Sequence, residues 1–554
     1  MEGERERERD VIVVGAGIAG LVTTLELLNR GRSVLLVDRC APEEVGGLAR
    51  EAFGGMFMVD SPEQRRSGIR DSFELAYDDW TRIADFGPDD DLPRRWAAEY
   101  VRRSRDEVGG WLRGLGVKFF PVVNWAERGV DGDGNSVPRF HLTWGTGKAL
   151  VDATWGAIQA HPRRSAVEVR LRTRVVELLR DGDGRVEGVR VVPEGAAAGV
   201  ESDRSRGAAP GGAAQDLRAR AVVLASGGVG GNLDIVRREW PAELGEAPEH
   251  ILMGSHYYAD GALHEEVTRI GGNVTHLSRM WNYADAVRHP EPRRPLHGLK
   301  LIPPRSGLML KPTGERFWPP VMPTFDNYYA LERMCNETTQ KYAWIVCNEK
   351  IARRELDVSG AQHNPSIRNK SLPRFLLGIL LGKPTLVRYF TERCPDFVTA
   401  PSLPRLADRM REAAGDGALD ADLMEREVRR YDDALARGKA LWNDDQIRRI
   451  AQLRAWRGDR LRTCKFQRIA DPDAGPLIAI RLQPMARKSL GGIQTDLDCR
   501  VMTPDGEPID GLYAVGEAAG FGGGGLHGKR ALEGTFLGGC IFTGRLAARA
   551  IAGG

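Results

Sequence analysis

The chain has 554 residues, too many for one hydrophobic core, so two large domains are expected. Its 79 basic and 76 acidic residues leave a net charge of +3, which gives no broad electrostatic footprint for nucleic acid. Seven cysteines, at positions 40, 335, 347, 394, 464, 499 and 540, include no C-x-x-C and no cluster with histidine, which argues against iron–sulfur, structural zinc or a disulfide framework and fits a reducing compartment. The opening MEGERERERD has no apolar signal core, and FLLGILLG at 375–382 is far short of a membrane span. A soluble, cytoplasmic protein is therefore expected, with that patch free to touch a membrane surface or a subunit, and a homo-oligomer stays open.

The first element is the β-branched run Val11, Ile12, Val13, Val14, which reads as a buried parallel strand. Gly15, Gly17 and Gly20 follow with the spacing G-x-G-x-x-G, and Leu21 to Leu28 carries apolar residues at helical spacing. The first glycine allows the tight turn, the second lets a pyrophosphate approach the backbone, and the third lets helix and strand pack closely. A second strand, Ser33 to Val37, ends in Asp38, 23 positions after Gly15, where a carboxylate can hold an unphosphorylated adenosine ribose. Strand, helix, strand and acid in this order predict a dinucleotide site at the front of the chain.

Residues 164–191 alternate in character around Asp181-Gly182-Asp183-Gly184 and predict a hairpin. The Gly/Ala/Ser-rich stretch 193–215 reads as a surface loop without chemistry. A further buried strand, Ala221 to Ala225, then ends in Ser226-Gly227-Gly228. From 232 to 474 tryptophan, tyrosine and proline are frequent and charged helices appear, which predicts a separate mixed domain. The strand Gly511 to Val515 stops at Gly516-Glu517, again handing backbone to a ligand, and a small-residue helix covers about 535 to 551. The nucleotide domain is thus expected to be built from both chain ends, 1–231 and 475–554, around an inserted domain at 232–474.

The amino-terminal motif, VVLASGGVGGN, GLMLKPTGERFWPP at 307–320 and the stretch Gly491 to Gly544 together resemble the fumarate reductase and succinate dehydrogenase flavoprotein superfamily. Within it, the chain is similar to the 3-ketosteroid Δ1-dehydrogenase-like FAD-binding dehydrogenases. The resemblance implies an α/β, Rossmann-like FAD-binding domain with an inserted α+β substrate cap. It also implies FAD contacts from Gly15, Gly17, Ile18, Ala19, Gly20, Asp38 and Arg39, and from the glycine pairs Gly46-Gly47 and Gly54-Gly55. Val175, Ala225, Ser226, Gly227, Gly516, Glu517, Leu532, Gly534 and Thr535 complete the implied cofactor set.

The same resemblance has departures that bear on chemistry. The superfamily's proton-donor segment places its glutamate at Pro320 and its arginine at Thr324, its histidine falls on Lys488, and its late arginine falls on Ala531 beside Arg530. Fumarate or succinate is therefore disfavoured as substrate. The steroid enzymes' tyrosine pair falls on Leu477 and Ile478, so a proton must move through another group. The candidates are His256-Tyr257-Tyr258, Tyr283 and Asn327-Tyr328-Tyr329 in the middle domain, with Arg487 and Lys488 to hold an enolate oxygen or reduced flavin. The run Gly522 to Gly525 is expected to lie flat against a planar ring, the helix from Thr535 to point its positive end there, and His527 and Arg530 to reach the substrate side. The expected reaction is FAD-dependent dehydrogenation, or its reverse, at a carbon–carbon bond beside the carbonyl of an apolar, steroid-like ketone, with an unidentified electron acceptor. The alternatives are a fumarate/succinate-type oxidoreductase and a nonenzymatic flavin-binding protein.

Overall fold

A computed structural model describes residues 9–130, 132–194, 213–323 and 325–553. The β-branched run of the first strand, Arg9–Val14, sits at the middle of a sheet, with Val11, Ile12 and Val13 wholly inaccessible to solvent. Burial on both faces is what a continuous apolar run without alternation requires, and each such side chain contributes about 1.5–3 kcal/mol. On one side the strand pairs in parallel with Val34–Val37 and, beyond it, Val167–Arg170. On the other it pairs in parallel with Gln215–Leu224, which pairs with Pro508–Ala514. The sheet therefore joins strands from both ends of the sequence. The hairpin expected around residues 181–184 is present as Thr173–Arg180 against Val186–Pro193, docked antiparallel on Gln215–Leu224. The expected loop at 193–215 falls mostly outside the described residues.

Small residues let the last helix, Thr535–Gly553, lie directly on the first, Ile18–Asn29: a Cβ at Gly544 would stand 2.8 Å from the Ala19 carbonyl oxygen. A second large sheet comes from the middle of the chain. Its longest member is Leu477–Ser489, whose first half pairs with Ala343–Asn348 and Phe397–Ala400 and whose second half pairs with Met280–Arg288. The expected boundary at 474 puts this segment in the nucleotide part. Its hydrogen bonds put it in the middle sheet, and only after Ser489 does the chain return to the first.

FLLGILLG forms most of the helix Leu372–Leu381. Phe375 packs on Phe120 and Trp144, while Leu376, Leu377, Leu380 and Leu381 are exposed. Among the described residues, no helix is long and apolar enough to cross a membrane.

Candidate active site

The parallel strands Arg9–Val14, Val34–Val37, Gln215–Leu224 and Pro508–Ala514 end at one edge of the first sheet. They deliver Gly15, Asp38, Ala225 and Val515 to the wall of a single cavity. Open α/β sheets place ligands at this carboxyl edge. Each glycine of the motif has a separate physical role. Gly15 turns at φ +114°, and a Cβ there would lie 2.3 Å from the Ala225 carbonyl oxygen. A Cβ on Gly20 would lie 1.9 Å from the Gly15 carbonyl oxygen, so Gly20 serves helix–strand packing. Gly17 has nothing within 4 Å of its Cβ position and caps the first helix without a side chain, leaving backbone N–H groups open to the cavity. The Asp38 carboxylate is oriented by the backbone N–H groups of Ala16 and Cys40, the latter at 2.7 Å.

Three adjoining cavities share walls. One is lined by Arg39, Val175 and Asp260; it meets the next through Gly15, Asp38, Ser226 and Tyr258. That second cavity, with Ile18, Ala19, Gly47 and Gly227 on its wall, meets the third through Leu48, Glu517 and Cys540. An extended dinucleotide needs an acid at the ribose, bare backbone at the pyrophosphate and further room for a ring system, and this groove offers all three in that order. The residues fit FAD.

The third cavity brings together groups from three distant segments. Its walls carry Phe53, Phe140, Phe521 and Phe536, with Gly54, Gly55 and Gly534 allowing close approach. Set into this apolar wall is a polar cluster: the Tyr283 hydroxyl donates to Glu533 Oε1 at 2.7 Å and accepts from Lys488 Nζ at 3.2 Å. Trp281 Nε1 also donates to Glu533 at 3.2 Å, and Lys300, paired with Asp285 at 3.1 Å, stands 4.5 Å from the Tyr283 ring centre. Burial, helped by neighbouring Arg487, pushes the Lys488 ammonium down to about 7 against the pull of Glu533. Burial alone would raise Glu533, but Lys488, Lys300 and the two hydrogen bonds outweigh it and hold the carboxyl below its ordinary range. Burial and the adjacent Glu533 charge keep the Tyr283 phenol protonated. Arg487 lines the same cavity with its guanidinium on the Gly254 carbonyl.

The sequence matches the FAD binding domain family over residues 10–537. It is 44% identical over 553 residues to a KsdD-like steroid dehydrogenase of Mycobacterium tuberculosis (strain CDC 1551 / Oshkosh), covering 98% of this chain and 95% of the relative. The chain belongs to the KsdD-like steroid dehydrogenases. A second member, from Mycolicibacterium smegmatis, is 44% identical over 540 residues, covering 96% of each chain. The fold is that of a 3-ketosteroid Δ1-dehydrogenase from Sterolibacterium denitrificans, with TM-score 0.72 at 17% identity over 99% of this chain and 100% of that one. A flavocytochrome c3 fumarate reductase shares it at TM-score 0.65 and 20% identity, over 99% of this chain and 79% of the other. As a KsdD-like steroid dehydrogenase, this protein is an FAD-dependent oxidoreductase.

Of the catalytic candidates in this KsdD-like chain, only Arg487 and Lys488 line the third cavity, together with Tyr283. Tyr258 stands beside Asp38 at the nucleotide end, its ring 4.2 Å below the Arg39 guanidinium. Tyr328 donates to Glu243 at 2.7 Å, and Arg530 lies over its ring at 4.8 Å, near Glu332 and half-buried; neither lines the cavity. His527 is fully buried, stacked on Trp80 and bonded to Thr535 Oγ1 at 2.8 Å, and burial pushes it down to about 3, so it carries no proton near neutrality.

The cofactor candidates divide in the same way. Gly46 packs on Val151, Gly516 on Ala19, and Leu532 and Thr535 bond to each other; none lines these cavities. The glycine run is also corrected. A Cβ on Gly522 or Gly523 would lie 2.6 Å from the buried Trp96 indole, and one on Gly524 2.3 Å from the half-buried Thr275 Oγ1, so these glycines admit protein neighbours. Sequence reasoning missed Glu533 and Lys300. Glu533 was visible in principle: aligned on His527, it occupies the first of the paired glycines that close the superfamily's H-G-A-N-R-L-G-G.

Proposed function

We propose that the enzyme removes two hydrogens from adjacent carbons beside the carbonyl of an apolar, steroid-like ketone. The middle sheet and its helices, residues 232–474 with the strand Leu477–Ser489, act as the cap over the third cavity. The observation that carries this reading is the Tyr283–Glu533–Lys488 cluster set in an otherwise aromatic wall. FAD, when bound, supplies the hydride acceptor. The cations Lys488 and Arg487 hold the ketone oxygen and the enolate charge that grows on it. Tyr283 takes the acidic α-proton on its oxygen while passing its own proton to Glu533 Oε1, so no free phenolate forms. Glu533 remains ionised and ready to accept because its two lysine neighbours favour the carboxylate. The phenylalanine wall excludes water from the reacting carbons. The names of the mycobacterial relatives support the substrate class, and the missing dicarboxylate-binding groups argue against succinate.

Anaerobic mixing with a 3-oxosteroid should bleach the flavin, and succinate should not. Tyr283→Phe should keep FAD and slow that bleaching by about 100-fold or more, the scale of a lost acid–base group. Bleaching by succinate at a comparable rate would overturn the substrate class. Wild-type rates in the tyrosine variant would remove the proton relay.

A further inference from the structure

A larger cleft opens beside the third cavity and shares Lys300, Ser359 and Arg487 with it. Its cavity volume is about 640 Å³, against about 130 Å³ for the third cavity, so a substrate held at the flavin has room to extend into it. Its wall is unlike the aromatic pocket it serves. Several of its cations are spoken for: Arg50 and Lys148 both reach Asp152, Lys300 reaches Asp285, and Arg293 lies 3.9 Å from Glu51. Arg294, Arg368 and Arg487 have no carboxylate within ion-pair distance among the described residues. Arg294 is the most telling, because its Nε is buried with no hydrogen-bond partner. A guanidinium is strongly destabilised by burial unless an anion meets it. The acids on the same wall leave that donor unmet: Glu43 is exposed, Glu44 is held by the Tyr257 hydroxyl at 2.9 Å and the Ala41 N–H, and Glu51, the carboxylate whose charge most favours the Arg294 guanidinium, forms no ion pair with it and lies 3.9 Å from Arg293.

The histidines report the same field. His289 and His297 stack at 4.3 Å, and burial together with Arg294 and Arg293 pushes His297 down to about 2. Burial, with His363 and Arg293, pushes His289 down to about 4. Both rings are neutral at working pH, so they add apolar surface to the cleft while the arginines keep its charge.

We infer that the cleft binds an anionic substituent, a carboxylate or a phosphate ester, carried on the end of the ketone substrate remote from the flavin, with Arg294 as its principal partner. This rests on the ketone reading above and narrows it. A planar guanidinium with its donors free suits bidentate recognition of either oxyanion.

The test compares three substrates on one ring system in anaerobic flavin reduction and steady-state turnover: a neutral 3-oxosteroid, the same skeleton with a terminal carboxylate, and the same with a terminal phosphate ester. Wild-type kcat/KM should favour one of the anionic forms over the neutral one by at least ~10-fold, and which one identifies the group. Arg294→Ala should collapse that ratio toward unity, with Arg294→Lys in between. With wild-type enzyme alone, raising salt from about 0.05 M to about 0.5 M should lower the ratio, as partly exposed charge pairs require. Equal kcat/KM for neutral and anionic forms overturns the inference while leaving the ketone reading intact. Failure of every steroid to bleach the flavin overturns both. An Arg294→Ala protein purified without FAD also overturns the inference and gives the arginine to the cofactor phosphates.

Discussion

Lys488 is the residue whose charge is most finely set. Burial leaves its ammonium at about 7, so it is protonated below that pH and neutral above it. If the cation holds the ketone oxygen, flavin reduction is fastest on the acid side of 7 and falls as pH rises through it. Lys488→Arg, whose guanidinium stays charged, should abolish that alkaline fall, and Lys488→Met should lower the rate by at least ~10-fold on the acid side of 7 and remove the pH dependence. A wild-type profile flat from pH 6 to about 9 would detach the lysine from the chemistry. Lys488 was legible in the sequence because it stands where related chains place a functional histidine. Its partners were less so: Tyr283 was one tyrosine among several in a tyrosine-rich middle, and only the fold, bringing positions 283, 488 and 533 within hydrogen-bonding reach, separates it from Tyr258 and Tyr328.

At the scale of elements, the strand–turn–helix at the front was readable because its turn, its helix and its first strand partner all lie within about thirty residues. Its strictest requirement is Gly20. Gly20→Ala puts a methyl group onto the Gly15 carbonyl, at 1.9 Å before relaxation, and must push helix Ile18–Asn29 off its strand. FAD affinity should fall sharply and the melting temperature with it, the latter reflecting on the order of 1–3 kcal/mol of overpacking; unchanged FAD retention on purification would contradict this role. The late glycine run was misread for the opposite reason. Its partner Trp96 is more than four hundred positions away, and a run of glycines looks the same whether it faces a ligand or an indole. The strand Leu477–Ser489 was misplaced likewise, since an apolar run states that it is buried but not in which sheet.

Across the whole molecule, acid is the predictable weakness. His527, His141 and His264 are buried neutral, pushed down chiefly by burial to about 3, about 4 and about 4 from an ordinary 6.5. Between those values and 6.5 the unfolded chain binds protons that the folded chain refuses, so stability is lost as pH drops below 6.5. Thermal melts should show a declining midpoint from pH 6.5 toward 4, and His264→Gln should flatten part of that slope; a midpoint constant over this range would show the imidazoles to be accommodated some other way.

The first sheet, closed by strands from the two ends of the sequence, also has a consequence for how the protein is made on the ribosome. Asp38 emerges early, but Val515, Glu517 and Cys540, which complete the same groove, are 477 or more residues behind it. At about 5–20 residues per second, roughly 25–95 seconds pass between the two walls. Through the later part of that interval the nascent chain holds the strand Gln215–Leu224 without its partner Pro508–Ala514 and the first helix without its packing partner, while the middle sheet still waits for its longest strand. Cofactor capture therefore waits for the late strand and helix, and FAD arrives as the fastener of a fold whose two edges have only just met.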